Sequence, residues 1–341
     1  RINMATYKSL KGQPIQVLAA DPPAPVEGQV WVVAAPGTAS VMRGYALGTG
    51  AWASGGDLNT AKNLGVLTGS QTAALYAGGN TPPSTQQTEI YNGTAWTEVN
   101  DMTETARDNL QGFGTQTASI AAAGVTGSNG NKSKLVELWD GTSWTAGTDN
   151  NTARLAGGSA GKAQTAGIIF GGKDASGPGD TDNADTESWN GTSWTELNNM
   201  NTAGAYISGG GTQTSAIVNQ GGARTAQNES WNGTSWSEIA EQNTFRDESA
   251  GDATDNTAGL LFGGQLPPGG KTVNTELWNG SAWTEVNNLA VARSTGSGGS
   301  GGQSGGQKSS LAVGGQTAPG ARQVTTEEWT IPLAAVSFDI D

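Results

Sequence analysis

The stretch TESWNGTSWTEL, residues 186–197, decides the fold, because it returns along the chain with little change and self-similarity at a regular period marks a repeat architecture. Its other copies are TEIYNGTAWTEV at 88–99, VELWDGTSWTAG at 136–147, NESWNGTSWSEI at 228–239 and TELWNGSAWTEV at 275–286. A sixth, TEEW at 326–329, stops after its first Trp. Upstream of the hairpin lies an apolar run ending in a Gly pair: ALYAGG to Gly79, GIIFGG to Gly172, AIVNQGG to Gly222, LLFGG to Gly264 and LAVGG to Gly315. The second block departs, its run SIAAAG ending on the single Gly124. Before each run stands a segment of the form T-A-[RK] or a relative, carrying Lys62, Arg107, Arg154, Arg246 and Arg293, with Gly204 in the fourth block.

Each block therefore reads as four short strands: one after the basic residue, one into the Gly pair, one at TExW and one at SWTEV. Asn-Gly at 92–93, 190–191, 232–233 and 279–280, and Asp-Gly at 140–141, supply residues that tolerate φ > 0, as tight hairpins require. The two Trp bracket that turn, so pairing brings the indoles together or onto a neighbouring block, each burying roughly 150–250 Å². In a chain poor in Leu and Ile, Trp is the main packing material. The second Trp, at Trp96, Trp144, Trp194, Trp236 and Trp283, recurs every 42 to 50 residues. No stretch sustains the apolar period of an amphipathic helix. The class is all-β.

A strand ending in a Gly doublet, then a Tyr or Trp, then a second Trp and an Arg, resembles the kelch repeat. The match runs over residues 59–341, with the Gly doublet missing once and the Arg twice. That resemblance implies a six-bladed kelch-type β-propeller with blades near 59–102, 103–150, 151–200, 201–242, 243–289 and 290–341, and it is uninformative about function. Block six lacks its SWTE strand, whereas GTGAWASGGDL at 48–58 is an orphan with Trp52 where the missing Trp belongs. A closing strand within 43–58 is expected to pair with the last blade and remove the sheet edge there. The structural repeat is thus carried by Trp52, Trp96, Trp144, Trp194, Trp236, Trp283 and Trp329.

With 30 acidic against 17 basic residues, the net charge of −13 repels the phosphates that dominate nucleic-acid affinity and disfavours anionic membranes. No run approaches the roughly 20 apolar residues that span a bilayer. The chain has no Cys and no His, so disulfides, thiolate metal sites and the commonest general base are all lacking. The N-terminus shows no apolar h-region of a secretory signal, and Met4-Ala5 reads as an ordinary initiator context, which leaves the origin of Arg1 to Asn3 open. No cofactor is expected, and no enzyme activity. A galactose oxidase of the kelch type needs two His and a Cys–Tyr crosslink; the Asp box of sialidases places its Gly one residue later than Ser188-Trp189-Asn190-Gly191 does.

Residues 1–42 do not fit the repeat, and ADPPAPVEGQVW favours an extended path. This segment is expected to be an arm, either packed on the repeat unit or attaching it to another subunit. The tail LAAVSFDID alternates apolar and polar residues and could form one more strand. The connectors NTPPSTQQ, VTGSNGNKSK, KDASGPGDTDNAD and QLPPGGKTVN vary most, either as solvated turns or as a recognition rim. Asp174, Asp180, Asp182 and Asp185 could ligate Ca²⁺, although a solvated acidic loop explains them as well. The N-x-[ST] sequons at Asn92, Asn190, Asn232 and Asn279 are accounted for by the turns.

The near-identity of the blocks, GTQT at 114–117 and 211–214, TEEWTIP at 326–332 and the opening MATYKSLKGQPIQVLAADPPAPVEGQVW are similar to kelch-like repeat proteins of tailed, marine bacteriophages. The resemblance implies a virion component: a tail-fibre or capsid-decoration protein held to other virion proteins through residues 1–42, exposed on the extracellular particle, and binding a host-surface glycan through its rim. The alternative is a glycan-binding module of a bacterial surface or secreted protein. Homo-oligomerisation, the ligand and the position on the particle stay open.

Overall fold

The computed structural model describes residues 16–24, 26–33, 41–126, 130–177, 179–220, 227–294, 306–318 and 320–338. It divides into two compact units, residues 50–330 and, separately, residues 1–49 with 331–341. The boundary expected at residue 43 therefore falls at Gly50, and the closing segment 43–58 is split. The cause is register: β3 (Val41–Leu47) pairs antiparallel with the strand Leu333–Phe338, from Met42 opposite Phe338 to Leu47 opposite Leu333.

The tail is thus an additional strand, and its partner lies almost wholly in the segment 43–58 expected to close the last blade, not in the arm. In the same sheet β1 (Gln16–Leu18) runs parallel to β2 (Val30–Val33), which pairs antiparallel with β3. Residues 1–15, where much of the expected arm lies, are outside the described residues. On one face Trp31 is fully buried, tilted against Tyr45 at 4.6 Å, and donates through Nε1 to Asp21 Oδ1, which also accepts from Arg43.

Among the described residues, 50–330 carry five four-stranded antiparallel sheets and a three-stranded one that recur along the chain, with two smaller three-stranded sheets and a two-stranded one built from the connectors, and no α-helix. In sequence the sheets open at Val66, Gln111, Gly158, Ser208, Ala250 and Ser309. The first strands of the first five sheets lie side by side in order, the 3-10 turn Gly306–Lys308 lies against Ala250–Asp255 of the fifth, and Ser309–Val313 of the sixth lies against Val66–Ser70 of the first. The sixth sheet is completed by β4 (Ala51–Ser54), which pairs with Thr326–Thr330 so that Trp52 stands opposite Trp329. The architecture is all-β and propeller-like.

Each hydrophobic core sits between two consecutive sheets, and the Trp pair of the later sheet supplies its bulk. Between sheets three and four, Phe170 meets Trp236 edge-on at 4.9 Å beside Ile168, Val218 and Trp231. Between sheets six and one, Leu311 and Val313 pack on Leu67, Tyr76, Tyr91 and Trp96. The first aromatic of every hairpin is at most 1% exposed, so its indole N–H needs a partner. Trp139, Trp189, Trp231, Trp278 and Trp329 donate to a carbonyl in the first turn of their own sheet, at 2.9–3.0 Å.

The second Trp works between sheets. Trp96, Trp144, Trp236 and Trp52 donate at 3.0 Å to the hydroxyls of Thr326, Thr88, Thr186 and Thr275, each the first residue of TExW in the preceding sheet. Where that Thr is Val136 or Asn228, the indole donates instead to a carbonyl, of Thr148 or Ala240. A second series uses the middle of the GTQT segment. Side-chain amides of Gln116, Gln164, Gln213, Asn256 and Gln307 reach back to the carbonyl of the first aromatic in the preceding sheet, and Gln71 of the first sheet reaches Trp329 of the sixth, at 2.5–3.3 Å.

The turn chemistry differs in one respect from expectation. Tyr91 or Trp pairs with the second Trp across a four-residue loop, and only the Gly has φ > 0, between 89° and 95°. The Asn acts through its side chain: Asn190 Oδ1 accepts from the amides of Thr192 and Ser193, both at 2.9 Å. Asp140 does the same in the second sheet, and those two amides hold its carboxyl below the usual range.

In the Gly pair, the second member permits close approach. A Cβ there would lie 2.6–2.7 Å from the carbonyl oxygen of Asn63, Asp108, Leu155 or Asp247. The first member is left-handed, with φ of 63° at Gly78, 60° at Gly171 and 59° at Ala123, and at Gly263 and Gly314 a Cβ would also lie 2.7 and 2.5 Å from the carbonyl oxygens of Arg293 and Lys62. Ala pays a steric penalty in that region that Gly does not. Ala123→Gly is expected to raise the unfolding free energy by about 0.5–1 kcal/mol, measured by urea denaturation.

The glutamate of TExW and the basic residue of the lead-in segment meet in the interior. Lys62–Glu89, Arg107–Glu137, Arg154–Glu187, Arg246–Glu276 and Arg293–Glu327 pair at 2.5–3.0 Å with side chains no more than 5% exposed. Burial pulls each cation's pKa down, Arg246 to about 10, and the facing Glu offsets part of it. In sheet four, with Gly204 at the basic position, Glu229 accepts from Gln220 Nε2 instead, at 3.4 Å.

Candidate functional site

Two residues beyond each basic position the chain turns left-handed at a residue that is not Gly: Leu64, Asn109, Ala156, Tyr206 and Glu248, with φ between 50° and 62°. Such a conformation costs about 1–2 kcal/mol per residue, so the surroundings must impose it. Backbone bonds do so in series: Ala156 N donates to Asn109 O, Tyr206 N to Ala156 O and Glu248 N to Tyr206 O, at 2.8–3.2 Å. The backbone is the same in each sheet while the side chains are amide, methyl, phenol and carboxylate. Leu64, Asn109, Tyr206 and Glu248 are half-buried and Ala156 is buried.

The connectors pair with this belt. Val125–Thr126 pairs with Arg107–Asp108, Lys173–Asp174 with Arg154–Leu155, and Gln265 bridges Asp247. Around Tyr206 lie Val125, Leu155 and Ala156, and Lys173 Nζ stands 5.4 Å from the phenol ring, within cation–π range. Lys271 Nζ donates to Gln265 Oε1 at 2.5 Å and lies 3.3 Å from Glu248 Oε2. Asp108 accepts from Asn80, Ser84 and Asn109, each at 2.7 Å, and Asn80 Oδ1 accepts from Arg322. The rim side chains are therefore held in place by one another.

Of the four aspartates, the side chain of Asp180 is outside the described residues. Strand register separates the other three. Asp174 stands opposite Thr181 and accepts from its hydroxyl and from Asn183, at 2.8 and 2.9 Å. Lys173 stands opposite Asp182, its Nζ 4.0 Å from the carboxylate, and Asp185 accepts from Asn199 at 3.0 Å. No group of three or more acidic, His or Cys side chains that could hold a metal occurs among the described residues.

A second polar cluster lies on the first strands. Lys162 Nζ, in sheet three, donates to Ala253 O of sheet five at 2.8 Å and stands 3.8 Å from Asp252 Oδ1. Between them the first strand of sheet four reads Ser208-Gly209-Gly210-Gly211, and a Cβ on Gly210 would lie 2.5 Å from Ala253 N. Asp252 is 1% exposed, and neither carboxylate oxygen completes a hydrogen bond among the described residues. Burial raises its pKa to about 7, opposed by Lys162, Ser310 and the amides of Ala253 and Gly306.

The folded state therefore holds a proton on Asp252 that the unfolded chain releases near its ordinary pKa. Unfolding free energy should fall as pH rises from about 4 to about 7. Asp252→Asn is expected to remove that fall and to be the more stable protein at pH 8, by on the order of 2 kcal/mol. Urea denaturation of both proteins at acidic and alkaline pH checks it; parallel pH profiles would refute it.

Small cavities occur among the described residues. One of about 60 Å³ lies at the rim, lined by Asp247, Gln265, Leu266, Pro267, Pro268 and Gly269. Another, about 190 Å³, lies at the turns of the first two sheets, lined by Gly69, Ser70, Ala73, Thr115, Gln116 and Thr117. Neither lining joins a nucleophile to a general base. What the rim offers is hydrogen bonding, an aromatic ring and charge. The belt residues escape sequence reasoning because they share a conformation and no residue type. The TExW glutamates and the GTQT glutamines carry a signal, their strict recurrence, which gives the position but not the partner.

No family model matches the chain, and no curated protein matches it. Among solved structures it is similar to the one described as YjhT, at 12% identity and a TM-score of 0.67, over 82% of this chain and 99% of that chain. At that identity the likeness concerns the fold alone, and it supports the all-β, propeller-like architecture.

Proposed function

We propose that residues 50–330 form a closed six-bladed β-propeller of the kelch type that serves as a non-enzymatic attachment module on a tailed-phage particle, with the small unit joining it to other virion proteins. The propeller reading rests on the two hydrogen-bond series that run from sheet to sheet and return from the first sheet to the sixth at Gln71–Trp329 and Trp96–Thr326. The functional reading rests on one observation. At the belt a constant backbone carries Asn109, Ala156, Tyr206 and Glu248 in succession, which is how a rigid repeat scaffold builds a recognition surface. Labelling the propeller and imaging purified virions tests it; absence of the protein from particles would overturn it.

The ligand class that fits the rim is a host-surface glycan. A phenol beside amide, carboxylate and ammonium groups matches a sugar's combination of C–H faces and hydroxyls. A glycan array probed with the wild type and with Tyr206→Ala tests this, and binding that Tyr206→Ala leaves unchanged would count against the rim.

A further inference from the structure

Four of the six recurring sheets present the same reactive pair at a hairpin turn. Asn92, Asn190, Asn232 and Asn279 are exposed, and each is followed by a Gly, whose amide nitrogen no side chain shields. The amides of Gly93, Gly191, Gly233 and Gly280 donate to no acceptor among the described residues. The side-chain carbonyl, by contrast, is held from two sides. Asn92 Oδ1 accepts from the amides of Thr94 and Ala95, Asn190 Oδ1 from Thr192 and Ser193, Asn232 Oδ1 from Thr234 and Ser235, and Asn279 Oδ1 from Ser281 and Ala282, all at 2.9–3.0 Å. Each Asn Cγ thus has two N–H donors on its oxygen and, in the next residue, a nitrogen that can close a five-membered ring onto it.

The second sheet shows what the turn looks like with an acid in that place. Asp140 Oδ1 accepts from the amides of Thr142 and Ser143 at 2.8 Å. Asp140 N donates to Ser143 O at 3.2 Å, against 3.2–3.3 Å for the same bond in the four Asn turns. The φ of Gly141 is 95°, against 89–92° for the other four Gly. A carboxylate therefore fits with the backbone unchanged, and a charged acceptor strengthens the two amide bonds.

We propose that Asn92, Asn190, Asn232 and Asn279 are sites of spontaneous conversion to Asp in the folded protein. The Gly nitrogen gives up its proton and attacks Cγ, and the charge that develops on Oδ1 falls on the two amides, as in an oxyanion hole. A cyclic imide forms and ammonia leaves. Water then adds at Cγ, the bond from Cγ to the Gly nitrogen breaks, the nitrogen regains a proton, and Asp remains on an intact main chain. Opening at the main-chain carbonyl would instead route the chain through the side chain, as isoaspartate. That puts an extra atom into a loop whose ends are fixed by the pairing of Tyr91 with Trp96, Trp189 with Trp194, Trp231 with Trp236 and Trp278 with Trp283, so the fold favours Asp. Each conversion adds one negative charge to the net −13. The new charges fall at one end of the sheets. A Cβ on Gly93, Gly191, Gly233 or Gly280 would lie 3.2–3.6 Å from Thr72, Thr165, Thr214 or Thr257, in the first turn of the same sheet, whereas the connectors leave from the other end of those strands.

The inference holds whether or not the chain sits on a particle, and it is tested on the purified full-length protein in mildly alkaline buffer, sampled over time by anion exchange and by peptide mapping with mass spectrometry. The folded protein is expected to resolve into a ladder of increasingly acidic species, with conversion at the four sites no slower than in the same protein unfolded in guanidinium. Asp is expected to exceed isoaspartate in the folded sample. Mapping separates these sites from the remaining Asn-Gly pair, Asn129-Gly130, whose Asn lies outside the described residues. Asn190→Asp and Asn232→Asp, which install the product directly, are each expected to keep the wild-type urea midpoint. Slower conversion in the folded than in the unfolded protein overturns the proposal, as does an excess of isoaspartate in the folded sample or a lowered midpoint in both variants.

Discussion

Arg154→Leu is expected to lower the unfolding free energy by about 3–5 kcal/mol. The guanidinium is wholly buried and divides its donors among Glu187 Oε1 at 2.5 Å, Asp185 O at 2.8 Å and Gly171 O at 3.1 Å. Glu187 in turn accepts from the amides of Asn151 and Thr152, so the pair ties the lead-in segment to the third strand of its sheet. Leucine fills part of the space but leaves a buried carboxylate without its countercharge and the carbonyls of Thr152, Gly171 and Asp185 without this donor. That penalty, rather than any large net value of the ion pair, sets the size of the effect. Removing both charges in Arg154→Leu/Glu187→Leu should therefore recover part of the loss. Urea denaturation of the three variants checks this; a single-variant loss below about 1 kcal/mol would show that water reaches the pair.

The same interior shows which parts of the molecule are legible from sequence. The hairpins and the pairing of Trp52 with Trp329 can be read, because turn residues and Trp spacing act locally and a missing strand leaves a visible gap. The Gln of GTQT cannot be assigned a partner that way. Gln213 bonds the carbonyl of Trp189, in another sheet, and a carbonyl has no residue type to recognise. The unit boundary at Gly50 is hidden for a related reason, since it follows from Val41–Leu47 pairing with residues some 290 positions later. The four aspartates illustrate the converse. Closeness in sequence suggests a common site, but a hairpin sets Asp182 against Lys173 and Asp174 against Thr181.

The fourth sheet contains an exchange that can be undone. By strand register Gln220 occupies the place of Gly171, the first member of the Gly pair, while Gly204 occupies the place of Arg154. Gln220 Nε2 donates to Thr202 O at 2.9 Å and to Glu229 Oε1 at 3.4 Å, as Arg154 reaches Thr152 O and Glu187 Oε1 in the third sheet. A Cβ on Gly204 would lie 2.0 Å from Gln220 Oε1, so the two side chains compete for one space. Gly204→Arg alone should overpack the site, and Gln220→Gly alone should leave a void beside a buried Glu229; each is expected to cost about 2–3 kcal/mol. Together they rebuild the Arg–Gly arrangement of the third, fifth and sixth sheets, and the losses should cancel in part, giving a coupling energy of about 3 kcal/mol. Urea denaturation of the two single variants and the double variant measures it. Additive losses would mean that the two positions do not share the site, and that Glu229 is held by the amides of Asn201 and Thr202 without help from Gln220.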